Sequence, residues 1–68
     1  MRVLLVPNTA KPASVSAVRE LVEWLQGSGF RPVLTLDDAR ETGMTSIGLP
    51  PAEIGVPVLT VALGGDGT

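Results

Sequence analysis

Apolar positions gather in three short continuous runs, "RVLLV" at 2–6, "FRPVLTL" at 30–36 and "VLTVAL" at 58–63. Runs of this length bounded by turn formers predict buried strands of a parallel sheet, which need no alternation because both faces are covered. Pro7 stops the first run. Pro32 has no N–H to give a ladder, so it belongs at the start of its strand or on an edge. Between the first two runs the period becomes helical. At about 100° per residue, Val15, Val18, Leu21, Val22 and Leu25 share one arc, flanked by Ala17 and Trp24. Ser16, Arg19, Glu20, Glu23 and Gln26 take the opposite side. This predicts an amphipathic helix over 15–26 with one face on the sheet. Pro12 suits a first helical turn, Ser14 a cap slightly later, and Gly27 the C-terminal cap, with Gly29 as second choice.

The remaining stretches are less regular. "DDARETG" predicts one helical turn, with Asp37 as cap and Gly43 as stop. "MTSIGLPPAEIGVP" has no sustained period and predicts a loop, with a turn of helix at Pro51–Ile54. The sum is β-α-β-β, an α/β Rossmann-like parallel sheet fragment with a right-handed crossover. With one substantial helix, one face of such a sheet is expected to lack its cover, so the chain reads as incomplete.

Composition narrows the functions. The chain has 68 residues, 44% hydrophobic and 18% charged, with net charge -2. This is one small globular domain, too apolar for disorder. Mild acidity argues against a nucleic-acid groove, which needs a basic stripe, and against anionic membrane surfaces. No apolar run approaches the roughly 20 residues of a membrane span. The opening run is too short for a secretory signal, so a cytoplasmic location is expected. The sequence holds no Cys and no His. Disulfides, thiol nucleophiles and imidazole bases are thereby excluded from it, which leaves carboxylates, hydroxyls and the backbone.

The third run leads into "GGDGT", residues 64–68. Ligands of open α/β sheets bind beyond the carboxyl ends of strands. Glycines there allow close approach, and successive N–H groups can cradle an anion without a lysine. A carboxylate at Asp66 would repel phosphates unless it meets a metal ion or takes a proton from an attacking hydroxyl. The plainer alternative is a Gly-Asp-Gly turn in which Asp66 bonds its own backbone.

"GGDGT" after an apolar strand resembles the signature of NAD kinases, diacylglycerol-type lipid kinases and, in variant form, phosphofructokinases. Phosphofructokinases carry a glycine-rich loop after the first strand, where this chain has "VPNTAKP". Lipid kinases usually show Asn-Pro and a glycine there, whereas Pro7-Asn8 is reversed and lacks one. The helix with Trp24-Leu25 and the entry to strand two at 29–33 (one residue longer than the family's spacing) resemble NAD kinases. Over its whole length the chain is similar to the N-terminal portion of a bacterial NAD kinase, ending at the signature.

The resemblance implies an N-terminal α/β nucleotide-binding domain over 1–68, with a C-terminal β domain beyond it. It implies transfer of the ATP γ-phosphoryl group to the adenosine 2′-hydroxyl of NAD, giving NADP. Gly64 and Gly65 would lie at the phosphates. Asp66 would be the catalytic acid-base group and, with Gly67, would touch the NAD ribose. Thr68 would begin the next helix. A divalent ion, Mg²⁺, would arrive with ATP, and no residue of the chain is assigned to it. A homo-oligomer is expected at full length, and no activity from the 68 residues alone. The chain departs from the family at Val56-Pro57, where an acidic residue often stands, and the family's Asn-Glu or Asn-Asp motif would lie beyond Thr68. A diacylglycerol-type lipid kinase and a non-catalytic nucleotide-binding fragment are the alternatives.

Other residues have plainer readings. Asp37-Asp38 would suit a ribose only behind a G-x-G-x-x-G, which is absent, so helix capping is preferred. Trp24 reads as core or rim packing rather than a stacking platform. Lys11 reads as solvated and Asn8 as a turn former.

Overall fold

The computed structural model of the protein describes residues 1–56 and 59–63. The three apolar runs become strands β1 (Arg2–Pro7), β2 (Arg31–Thr35) and β4 (Leu59–Leu63), and the amphipathic stretch becomes α1 (Pro12–Gly27). Between β2 and β4 lie α2 (Leu36–Thr42), a 3-10 turn (Thr45–Ile47), β3 (Gly48–Leu49) and α3 (Pro51–Ile54). All four strands are parallel, in the order β3-β2-β1-β4. The α/β parallel architecture is the one the sequence predicts, with Val58 outside the described residues. The loop expected from Met44 onward is corrected. It contains a fourth strand, pairing Leu34 with Gly48 and Thr35 with Leu49.

Residues paired across parallel strands share a face, and neighbours along a strand alternate. Val3, Leu5 and Leu34 therefore face α1, where they bury against Val18, Val22 and Leu25, with Ala39 of α2 completing the cluster. The predicted helical arc is thus the buried one, with Val15 and Leu21 at its half-buried margins. Pro32 is the second residue of β2, ahead of the β3 pairing, where its missing N–H costs no bond to β3. On the opposite face α3 covers β2. Ile54 and Val33 are buried, and the Arg2 guanidinium donates to the carbonyls of Glu53 (2.9 Å) and Ile54 (2.6 Å). Arg2 thereby supplies the donors that the C-terminus of α3 lacks.

The helix ends differ from the sequence reading in three places. Lys11 precedes α1 with no side-chain cap bond and Pro12 opens the helix, so Ser14 is not its cap but lies within the first turn. Of the two glycines offered for the end of α1, the second is used. Gly29 takes φ 85°, Phe30 N–H donates to the Leu25 carbonyl (2.9 Å) and Gly29 N–H to that of Gln26 (3.3 Å). These two bonds form a Schellman closure, which needs a left-handed residue at Gly29. For α2, Thr35 rather than Asp37 is the cap, its hydroxyl accepting from Asp38 N–H at 3.2 Å. Asp37 and Asp38 instead occupy the first turn, where a helix dipole favours negative charge. Gly43 does end α2, and Arg19 of α1 donates to the Thr42 carbonyl at 2.8 Å.

Beyond α3 the second face is bare. Val6 is 40% exposed, and Thr60 and Ala62 of the outer strand are exposed. Among the described residues β4 is paired on one side only. A bare sheet face beside an unpaired edge promotes association. The isolated 68-residue chain is accordingly expected to self-associate, with a sedimentation coefficient that rises with concentration. A concentration-independent monomer with a sharp cooperative melt would contradict this.

Candidate functional site

The order of the strands creates a particular place in the molecule. From β1 the chain moves through α1 to β2 and on to β3, then returns across the sheet to lay β4 against the other side of β1. At β1 and β4 the direction of strand addition reverses. Open α/β sheets bind ligands outside the carboxyl ends of their strands at such a switch point. The register runs from Val3↔Leu59 to Pro7↔Leu63, so both strands end at the same level.

A small hydrogen-bond cluster joins these ends. Asn8 N–H donates to the Leu63 carbonyl (3.1 Å) and to Ser14 Oγ (2.9 Å), while Ser14 Oγ donates to the same Leu63 carbonyl (3.1 Å). The chain reaches α1 by a tight turn, in which Ala10 N–H donates to Asn8 Oδ1 (3.1 Å) and Lys11 N–H to the Asn8 carbonyl (3.0 Å). Asn8 thus has the turn-forming role its residue type suggests. The turn sets the N-terminus of α1, with its positive dipole end, beside the last residue of β4. Lys11 is exposed on this turn.

The five residues singled out by sequence, Gly64, Gly65, Asp66, Gly67 and Thr68, lie outside the described residues. Their immediate predecessor, Leu63, is placed at the switch point. Within this cluster, Ser14 is the residue that the sequence reading misassigned. A serine two positions after a helix-opening proline signals a cap, whereas its burial beside the end of β4 depends on a strand 49 residues away.

Other surfaces have less to offer. Trp24 is 62% exposed and lines a shallow recess with Leu21 and Leu63 on the α1 side of β4, so it sits at the rim. A cavity of about 220 Å³ lies between the end of α1 and the β2–β3 edge, walled by Phe30, Pro32, Ile47 and Leu49. It carries Arg31 and Ser46 but no carboxylate, so it holds no acid-base pair. Among the described residues no group of three or more Asp or Glu side chains could hold a metal ion. Also among them, no helix is long and apolar enough to cross a membrane. No family model, curated protein or solved structure matches the chain.

Proposed function

We propose that the chain is the N-terminal part of a cytoplasmic NAD kinase, transferring the γ-phosphoryl group of ATP to the adenosine 2′-hydroxyl of NAD. The observation that carries this reading is the position of Leu63. Leu63 ends β4 beside β1, where a sheet of this order receives ligands, and the glycine-aspartate run is next in the sequence.

In this mechanism the backbone N–H groups of Gly64 and Gly65 hold phosphate oxygens, and Asp66 and Gly67 contact the NAD ribose. The Asp66 carboxylate takes the proton of the 2′-hydroxyl as that oxygen bonds to the γ-phosphorus. The bond from the γ-phosphorus to its bridging oxygen breaks, and ADP leaves. The divalent ion is carried by the triphosphate and offsets its charge, with no ligand assigned from this chain.

The test is an assay of the full-length protein with ATP and either NAD or diacylglycerol. Formation of NADP supports the reading. Phosphatidic acid instead would transfer the site to a lipid kinase, and neither product would remove the kinase reading altogether.

A further inference from the structure

We infer that the cavity at the β3 edge of the sheet is a binding site for a small aromatic carboxylate, independently of the kinase reading. It lies between the end of α1 and the first half of β2, against Arg31, Pro32 and Val33, and its volume is about 220 Å³. Pairing with β3 starts only at Leu34, so no strand fills this place. Three polar side chains line it, Gln26, Arg31 and Ser46, and solvent reaches all three. None of them has a side-chain hydrogen bond or an ion pair among the described residues. No carboxylate stands in the lining, so nothing there opposes the Arg31 charge.

A second cation adds to the field. Arg2 and Arg31 are direct partners in the parallel ladder, so their side chains leave the same face. The Arg2 guanidinium is committed to the carbonyls at the end of α3, which leaves Arg31 to take an anion. A guanidinium meets the two oxygens of a carboxylate with parallel N–H donors, a pairing that a neutral group forfeits. Phe30, Ile47 and Leu49 supply apolar walls. An apolar cavity of about 150 Å³ accepts benzene, and sites for drug-sized ligands begin near roughly 300 Å³. The volume here lies between the two, which suits one ring bearing a carboxylate. The backbone at this edge disfavours a peptide strand as the occupant. Arg31 N–H donates to the Met1 carbonyl, so the next peptide group faces away from β1. That residue is Pro32, which offers a strand a carbonyl but no N–H, whereas strand addition uses both.

The experiment titrates the full-length protein with benzoate and follows backbone amide shifts by NMR. Benzoate is expected to saturate with a midpoint of about 1 mM, shifting Phe30, Ile47 and Leu49 most. Benzamide, the same ring without the charge, and acetate, the charge without the ring, should each bind about tenfold more weakly or worse. Arg31→Gln keeps an exposed polar side chain without the charge and should weaken benzoate about tenfold. Arg40→Gln, an exposed arginine on α2, should leave the midpoint within about twofold. Ser46→Trp, on the exposed 3-10 turn, places a ring in the cavity and should abolish the shifts, which keeps the test decisive if Arg31→Gln does not fold. No saturation below about 20 mM overturns the inference. So do largest shifts elsewhere in the chain, benzamide or acetate binding as well as benzoate, or undiminished binding by Arg31→Gln or Ser46→Trp.

Discussion

Asp66→Asn in the full-length protein is expected to lower turnover by roughly 10²–10⁴ while nucleotide binding changes little. Asparagine matches aspartate in size and keeps one carbonyl acceptor, but it cannot take the proton of a 2′-hydroxyl. The loss therefore falls on the step in which that oxygen becomes a nucleophile. Phosphate recognition by backbone N–H groups involves no side chain of residue 66, and asparagine keeps an acceptor for the ribose, so binding should change far less than turnover. An aspartate that only forms a turn gives the opposite pattern, because asparagine serves almost as well in such turns. Steady-state kinetics with a parallel ATP and NAD titration separates the two. Turnover near wild type would remove Asp66 from the mechanism. Lost binding together with a lowered melting temperature would make its role structural.

Leu5→Ala is expected to destabilise the protein by about 2–5 kcal/mol. Leu5 is 0% exposed, on a central strand, and packs within the cluster beneath α1. Its removal leaves a cavity in a cluster whose buried members come from β1, β2, α1 and α2, which cannot all move inward. Domains of this kind are stable by only about 5–15 kcal/mol, so such a loss is a large share of the total. Val6→Ala, one residue along the same strand but on the bare face, should cost less than about 1 kcal/mol. Denaturant midpoints of the two variants check the contrast. Equal losses would mean that the bare face of this sheet is covered in the intact molecule.

The sequence by itself determined the three longer strands and the long helix. Run length and the 3.6-residue period are local properties, and they report burial on two faces or one. The inward arc of α1 was legible for the same reason, since Val18, Val22 and Leu25 recur at the spacing of one helical face. The candidate chemistry was legible too, because carboxylate and glycines stand together in residues 64–68 without any help from folding.

Tertiary structure alone decided where Leu63, the residue before that segment, is placed. No local pattern states that β4 lies beside β1 rather than beyond β3, because order depends on which strand edges meet in space. β3 was illegible for a related reason: two residues hold no period. Its Gly48 also matters only because a Cβ there would stand 2.6 Å from the Ala39 Cβ, a contact made by the packing of α2 on the sheet. Asp37 was the cap expected for α2. The choice fell to Thr35 because the helix starts directly from the end of β2, leaving Asp37 inside the first turn. Ser14 is the plainest case. Its hydroxyl has two partners, Asn8 and Leu63, and only the meeting of β1 with β4 brings the second within reach.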